Sequence, residues 1–164
     1  MRKRENNMNK KKTRLIIIFS SGFFLLLDQF LKWQAMRAWA DSRLIWPRFG
    51  WQVFLNKGAA FGISLNNALI IALSIPIVLL IGYIFLKELT KENFSRILLL
   101  AWSLILAGGI SNLLDRIIYR QVIDYFLINM AIINISDIMI AGGLVICLLN
   151  ISCHSDDKGG ISVR

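Results

Sequence analysis

Residues 108–137 read GGISNLLDRIIYRQVIDYFLINMAIINISD, and this stretch decides the fold because two apolar runs of membrane length flank it. It contains six polar or ionisable residues that stand out, namely Asn112, Asp115, Arg116, Asp124, Asn134 and Asp137. Polar groups at the end of a membrane helix are costly, so they indicate a function by default. Two carboxylates brought together can share a proton and act as general base and general acid. We therefore predict that Asp124 and Asp137 form such a pair at the outer surface of a membrane.

The composition is that of a membrane protein. Of the 164 residues, 56% are hydrophobic and the mean hydropathy is +0.59, whereas soluble domains are about 45–50% apolar. Apolar runs lie at about 15–33, 68–86, 94–114 and 133–151, and each is close to the ~20 residues that cross a bilayer. The sequence predicts an all-α integral membrane protein with four transmembrane helices in a single domain at 15–151. A basic, disordered cytoplasmic tail is expected at 1–14, and a polar cytoplasmic tail at 152–164.

The segment between the first two spans is rich in Trp, Phe and Arg, which favour the membrane interface. The stretch LIWPRFGWQVFLN at 44–56 predicts a hairpin, because Pro and Gly punctuate apolar residues. Residues 34–42 are expected to form a short amphipathic helix on the bilayer. The stretch NKGAAFG at 56–62 allows close backbone approach, although an ordinary turn is an alternative. We expect a small extracytoplasmic region that is β-rich and carries an amphipathic helix.

The net charge is +9, and the placement of its Lys and Arg residues predicts how the chain is oriented in the membrane. Seven of the 19 Lys and Arg residues precede residue 15, and such clusters stay cytoplasmic. On a soluble domain this charge would suggest nucleic acid, but beside a membrane span it sets orientation and attracts anionic lipid. With four spans both termini are cytoplasmic. Asp28, Asp115 and Asp137 then all fall at the extracytoplasmic side, which favours a common site.

Several of these residues also have a purely structural interpretation. Asp28 and Lys32 are four apart on one helical face and can form an ion pair. Asn134 can cap the fourth helix, with Asp137 in its first turn. Asp115 can serve as an interfacial anchor. Asp124 lies in the apolar, strand-like piece VIDYF at 122–126, where no local partner is evident.

The third span carries Gly108, Asn112, Asp115 and Arg116 at spacings that place them on one helical face. Gly108 lets a neighbouring helix approach, and Asn112 can then form a hydrogen bond across that contact. Arg116 can anchor the helix end, or clamp a substrate carbonyl or phosphate with its fork of donors.

Some chemistry is excluded by composition. The single histidine, His154, lies in the expected cytoplasmic tail, so a serine or cysteine peptidase would lack a base at the outer face. Clusters of His, Cys and carboxylate at ligand spacing are missing from the sequence, so we predict neither a metal nor another cofactor.

Together these motifs resemble the signal peptidase II family, the lipoprotein signal peptidases. The resemblance covers residues 15–149 and rests on five motifs in order: DQxxKW at 28–33, NKGAAFG at 56–62, GGxxNLxDR at 108–116, VxD at 122–124 and NxSD at 134–137. The last motif is usually FNxAD, and here Ile133 and Ser136 replace the Phe and the Ala. The link from Asp124 to Asn134 is also several residues shorter than usual.

The resemblance implies a membrane aspartyl endopeptidase that removes signal peptides from diacylglyceryl-modified prolipoproteins by cleaving before the lipidated Cys. It implies that Asp124 and Asp137 are catalytic. The residues matched to substrate binding are Asn56, Asn112, Arg116 and Asn134, and the supporting residues are Asp28, Lys32, Gly108 and Asp115. The expected partners are the lipidated precursor and membrane lipids, with a monomeric enzyme in the bacterial cytoplasmic membrane.

Two other interpretations remain open from the residues. A non-catalytic membrane carrier or lipid-binding protein could use the same carboxylates as a proton relay or headgroup site. An intact fold without activity would fit the short link between Asp124 and Asn134.

Overall fold

The computed structural model describes residues 2–38, 43–58 and 66–156. Along these ranges the elements are α1 (Arg2–Ala38), β1 (Arg43–Trp46), β2 (Phe49–Asn56), α2 (Asn67–Thr90), α3 (Arg96–Tyr119), β3 (Val122–Ile128), β4 (Ala131–Ile133) and α4 (Ile135–Asp156). The helices pack as a bundle, and the strands form one sheet at the end where α1 and α3 finish and α2 and α4 begin. The polar residues of 108–137 gather at this end.

Among the described residues, three helical segments are long and apolar enough to cross a membrane: Asn7–Arg37, Asn67–Thr90 and Arg96–Tyr119. The apolar part of α4, Ile135–Asn150, is shorter. Large apolar side chains point outward from the bundle, with Phe19 71% and Leu79 68% exposed. A water-soluble surface rarely carries so much contiguous apolar area, whereas a lipid-facing surface does. The chain is an integral membrane protein.

Helix α3 is the centre of the bundle and packs against α1, α2 and α4. Its buried face repeats at helical spacing and changes from apolar to polar along the helix. The members of that face are Leu99, Ala101, Ser103, Ile105, Ala107, Gly108, Ser111, Asn112 and Asp115. The polar end of this face therefore enters the bundle directly beneath the sheet.

Two glycines set the close approach of α3 and α4. A Cβ on Gly108 would lie 2.6 Å from the Ser136 carbonyl oxygen, and a Cβ on Gly143 would lie 2.7 Å from the Ala101 carbonyl oxygen. Glycine is the only amino acid without a Cβ, so glycine at these two positions lets the backbones of α3 and α4 come into contact.

The sheet has the order β1-β2-β3-β4 and is antiparallel throughout. Strand β2 follows the first span and β3 follows the third, so their pairing joins distant parts of the chain. Phe54 lies opposite Asp124, and Asn56 lies opposite Val122. This register brings the end of β2 beside Asp124.

The segment from 44–56 forms the predicted hairpin of β1 and β2, and the predicted strand-like piece at 122–126 lies within β3. Strand β4 was not predicted, because it has three residues and follows a tight turn in which Asn129 adopts a φ of 59°. That turn accommodates the short link between Asp124 and Asn134.

Two expectations about the ends of α1 were wrong. The basic segment expected to be a disordered tail is helical from Arg2 onward. Lys10 Nζ donates to the Glu92 carbonyl oxygen at 3.0 Å and Arg14 Nη2 to the Lys91 carbonyl oxygen at 2.6 Å, so contacts with the α2–α3 loop stabilise it. At the other end, residues 34–38 continue α1 instead of starting an amphipathic helix, because the α-helix runs unbroken to Ala38.

Parts of three expectations lie outside the described residues: 39–42 of the amphipathic helix, 59–62 of the NKGAAFG motif and 157–164 of the C-terminal tail. The part of that tail up to Asp156 belongs to α4.

Candidate active site

The two aspartates predicted to be catalytic meet through one residue. Asn134 donates from its side-chain amide to Asp124 Oδ1 at 2.6 Å, and its backbone N–H lies 3.3 Å from Asp137 Oδ2. Asp124 is on β3 and Asp137 is in the first turn of α4. The close turn after β3 and the start of α4 therefore bring the two carboxylates into one site.

Asp124 is almost fully buried, with 2% of its surface exposed. Its carboxylate accepts from the side-chain amides of Asn134 and of Asn56, the latter at 3.2 Å. Burial and the nearby charge of Asp137 raise the pKa of Asp124 to about 6, while the two amide hydrogen bonds act in the opposite direction. Asp124 is therefore a carboxyl group that holds its proton at an unusually high pH.

Asp137 is half-buried and is held by a reciprocal cap. Its backbone N–H donates to Asn134 Oδ1 at 2.8 Å, while its carboxylate accepts from the Asn134 backbone N–H at 3.3 Å. This is the capping-box arrangement, so the predicted helix cap is confirmed. Asn112 Nδ2 donates to Asp137 Oδ1 at 3.0 Å. Capping and orientation of the carboxylate are thus performed by the same side chains.

Arg116 is half-buried beside the two aspartates, and it interacts electrostatically with both. Its guanidinium donates weakly to the carbonyl oxygens of Asn112, at 3.4 Å, and of Gly58, at 3.5 Å. These long contacts leave donor capacity that can be directed at a substrate carbonyl.

Beneath the aspartates lies a buried charged cluster. Lys32 Nζ is 2.7 Å from Asp28 Oδ2 and 2.8 Å from Asp115 Oδ2, and all three side chains are at most 1% exposed. The predicted Asp28–Lys32 ion pair is confirmed. Asp115 faces Lys32 and the backbone N–H of Ile123, at 3.3 Å, rather than acting as an interfacial anchor.

Lys32 also connects this cluster to the aspartates above it. It donates to Asn112 Oδ1 at 3.0 Å. Because an ammonium can only donate, this contact turns the oxygen of Asn112 toward Lys32 and its amide nitrogen toward Asp137. Lys32 thereby fixes the direction of the hydrogen bond that Asp137 accepts.

Four polar residues of this cluster were missed by the sequence reasoning as site residues: Gln29, Ser111, Tyr125 and Ser136. Gln29 donates to Asp115 Oδ1 at 2.9 Å, and Ser111 donates to Asp28 Oδ2 at 2.7 Å. Both lie in quoted motifs, next to Asp28 and Asn112. Plotting those motifs on a helix, to see which residues share the face of the charged groups, could have identified them.

Gly108 contributes space instead of chemistry, since its missing side chain admits the start of α4 next to Ser136. The structure thus brings the predicted polar site residues to one end of the bundle, in two connected layers. Among the residues that it describes, no group of three or more His, Cys, Asp or Glu side chains could hold a metal ion.

The arrangement can perform acid–base chemistry on a substrate that approaches between the sheet and the bundle. A buried carboxyl group with a raised pKa can supply a proton, and a second, more accessible carboxylate can take one from water.

Comparison with known proteins supports a specific family. Residues 20–153 match the family model described as signal peptidase (SPase) II. The chain is 32% identical to the lipoprotein signal peptidase of Clostridium tetani, over 82% of this chain and 89% of that protein. It is 34% identical to the lipoprotein signal peptidase of Wigglesworthia glossinidia brevipalpis, over 86% and 94% of the two chains.

Solved structures share the fold. A bacterial membrane enzyme determined by the in meso method at 2.3 Å resolution superimposes with a TM-score of 0.78 and 23% identity, covering 93% of this chain and 95% of that one. A second, at 1.9 Å resolution, gives a TM-score of 0.71 at 24% identity, covering 85% and 92%. The family match over most of its length, together with relatives above 30% identity, shows that this chain belongs to the signal peptidase II family.

Proposed function

We propose that this protein is an aspartic endopeptidase that removes signal peptides from diacylglyceryl-modified prolipoproteins by cleaving before the lipidated Cys. The observation that carries the proposal is the bridge that Asn134 makes to both Asp124 and Asp137. Membership of a family whose members are named lipoprotein signal peptidase supports the substrate class. The buried, raised-pKa carboxyl of Asp124 supports the aspartic mechanism.

The proposed roles follow from the two environments. Asp137, the more accessible carboxylate, removes a proton from water as the water oxygen attacks the scissile carbonyl carbon. Asp124 donates its proton to the carbonyl oxygen, which gives a neutral tetrahedral diol. Asp137 then passes its proton to the leaving nitrogen as the C–N bond breaks, and Asp124 recovers its proton from the collapsing hydroxyl. The pair ends in the state in which it began.

The remaining residues orient this chemistry. Asn112 and Asn134 hold the carboxylates, while Arg116 and Asn56 bind the peptide near the scissile bond. Asp28, Lys32, Gly108 and Asp115 support them from below. The acyl chains of the substrate lie between helices within the bilayer, and the sheet holds the peptide at the surface.

The proposed topology has four spans, with α4 as the fourth, and one membrane domain at 15–151. Both termini are cytoplasmic and the aspartates lie at the extracytoplasmic face of the bacterial cytoplasmic membrane. The basic segment 2–14, which contacts the α2–α3 loop at the same end of the bundle, supports this orientation. The enzyme acts as a monomer without a metal or another cofactor.

The direct test is replacement of each aspartate by its isosteric amide. We expect Asp124→Asn and Asp137→Asn each to lower cleavage of a lipidated precursor about 10²–10⁴-fold, because each removes one proton-transfer group. Turnover is measured with purified enzyme in lipid nanodiscs, and thermal unfolding shows that the variants are folded. Glu92→Gln, an exposed acid-to-amide change in the α2–α3 loop, is the matched control and keeps activity.

Retained turnover in either variant would remove that residue from the pair. Asp115→Asn is measured in parallel: because Asp115 already pairs with Lys32, we expect it to lower stability while hydrolysis persists. Loss of cleavage in Asp115→Asn but not in Asp137→Asn would transfer the role to Asp115. Failure of a peptidic aspartyl-protease inhibitor to bind would favour a non-catalytic carrier.

A further inference from the structure

One carboxylate in the buried cluster accepts an unusual number of hydrogen bonds. Asp28, 0% exposed, accepts at Oδ1 from the Tyr125 hydroxyl at 2.8 Å and from the backbone N–H groups of Ile135 and Ser136 at 3.1 and 3.4 Å. At Oδ2 it accepts from the hydroxyls of Ser136 and Ser111 and from Lys32. Its donors therefore come from α1, α3, β3 and α4.

Two of these donors are sequence neighbours of the proposed catalytic aspartates. Tyr125 follows Asp124 on β3, and Ser136 precedes Asp137 in the first turn of α4. Both side chains are fully buried. The Tyr125 hydroxyl also accepts from the Ile135 backbone N–H at 3.3 Å, which links the strand to the helix start directly.

The helix start gives the contact a physical reason. The first N–H groups of a helix have no partner within the helix, and the positive end of the helix dipole favours a negative charge. Asp28 satisfies the N–H groups of Ile135 and Ser136 from a different helix, while Asn134 and Asp137 satisfy each other. The position of α4, and hence of Asp137, is therefore set relative to α1.

Ser136 contributes a hydroxyl donor at the start of α4, because its side chain donates to Asp28 Oδ2. Tyr125 stands in the same cluster as a second hydroxyl donor. Burial and the Asp28 carboxylate raise the pKa of Tyr125 well above its ordinary value, so this phenol remains a donor throughout the working pH range.

We propose that Tyr125 and Ser136 are positioning residues for this enzyme, which act by tying β3 and the start of α4 to the Asp28 carboxylate and so fix the separation of Asp124 and Asp137. The proposal rests on the proposed function of those two aspartates. The other ionisable groups facing Asp28 are Lys32 and, through Lys32, Asp115. Neither hydroxyl contacts the reacting atoms.

The expected effect is kinetic and appears in the pH profile. Small displacements of catalytic groups can cost up to ~10²-fold in rate. We expect Tyr125→Phe and Ser136→Ala each to lower kcat about tenfold with little change in KM, because only the transition state requires the correct separation. The double variant loses more than either single variant.

A looser pair also changes titration. The charge of Asp137 helps to raise the pKa of Asp124, so a wider separation lets that pKa fall. Asp124 then loses its proton at a lower pH, and the basic limb of the kcat profile moves to lower pH in both variants. A residue that only stabilised the fold would leave this limb unchanged.

The matched controls are Tyr83→Phe, an exposed tyrosine on α2, and Ser103→Ala, a buried serine. Ser103 bonds Ser21 at 2.8 Å within the bundle, about two turns from Ser111, so its loss reproduces the cost of a buried hydroxyl bond away from the site. Each variant is measured as full-length enzyme in nanodiscs, for cleavage of a lipidated precursor and for thermal unfolding.

Lower stability with unchanged kcat and an unchanged pH profile in Tyr125→Phe and Ser136→Ala would overturn the proposal. A change in kcat and in the basic limb equal to the change in Ser103→Ala would also overturn the proposal. If Asp124→Asn and Asp137→Asn retained turnover, the proposed function itself would fail, and that outcome is separate from the result for the two hydroxyls.

Discussion

At the scale of single residues, the opposing influences on Asp124 determine how the site titrates. Burial and Asp137 favour the protonated form of its carboxyl, whereas the amides of Asn56 and Asn134 favour the ionised form. The resulting pKa of about 6 is close to neutral pH, so a small change in the burial, charge or hydrogen bonding of this carboxyl alters the fraction that is protonated there. Of the two amides, Asn56 is the better one to mutate, because it reaches Asp124 from the neighbouring strand and, unlike Asn134, does not cap α4.

We expect Asn56→Ala to move the basic limb of the kcat profile to higher pH. Its hydrogen bond stabilises the ionised carboxylate, so removing it raises the pKa of Asp124, and the proton needed for catalysis is retained to higher pH. The measurement is turnover of a lipidated precursor across pH. Gln52→Ala, an exposed amide on the same strand, is the control, and a shift toward lower pH in Asn56→Ala would contradict the expectation.

At the scale of elements, the contact between α3 and α4 controls where the first turn of α4 lies. The Ser136 carbonyl oxygen and the Ile140 side chain occupy the space where a Gly108 side chain would be. Ser136 is followed by Asp137, so any displacement here is transmitted to the proposed catalytic residue. By contrast, no atom outside the neighbouring backbone of α4 lies within 4 Å of a Cβ placed on Gly142.

We expect Gly108→Ala to destabilise the folded protein by about 1–3 kcal/mol, as overpacking in well-packed regions does, and to lower kcat. A Cβ would approach the Ser136 carbonyl oxygen to 2.6 Å and push α4 away from α3. Thermal unfolding and precursor cleavage in nanodiscs report the two effects. Gly142→Ala is the control with open space, and equal behaviour of the two variants would show that the close approach has no consequence.

The sheet shows how elements far apart in sequence complete the site. The hairpin of β1 and β2 and the strand at 122–126 were predictable, because aromatic and β-branched residues alternate with turn residues. Their pairing was not, since β2 and β3 are separated by two membrane helices. Only the observed register explains why Asn56 reaches Asp124.

At the scale of the whole molecule, the charge distribution and the site lie at opposite ends of the bundle. The helical basic segment contacts the α2–α3 loop at one end, through Lys10 and Arg14. The sheet and the paired aspartates lie at the other. The positive-inside rule predicts that the basic end is cytoplasmic, so we expect the aspartates to face outward.

This orientation is testable by labelling single cysteines. In a chain whose Cys147 and Cys153 are replaced by serine, we expect Lys57→Cys to react with a membrane-impermeant maleimide in intact cells. Lys91→Cys is the matched position in the α2–α3 loop, which we expect to be cytoplasmic, and it should react only after the membrane is permeabilised. Both side chains are exposed, so access depends on the membrane and not on burial. The reverse pattern would place the aspartates in the cytoplasm.

The sequence by itself determined the features that depend on local chemistry. Apolar runs specify membrane helices because each must satisfy its own backbone hydrogen bonds in lipid, and the i, i+4 spacing of Asp28 and Lys32 specifies their ion pair. The Asn134 cap likewise depends on residues only three apart. The local sequence also left Asp124 without an evident partner.

Only the tertiary structure decided which distant groups complete these local arrangements. Lys32 pairs with Asp115 and orients Asn112, although about 80 residues separate Lys32 from each of them. Asp28 accepts hydrogen bonds from the hydroxyls of Tyr125 and Ser136, which are more than 90 residues away. These partners are set by the packing of α1 against α3, β3 and α4. The physical reason is that a buried charge is stable only when hydrogen-bond donors or opposite charges surround it. Which distant residues supply them depends on the packing of the elements, and the hydropathy pattern along the chain does not specify it.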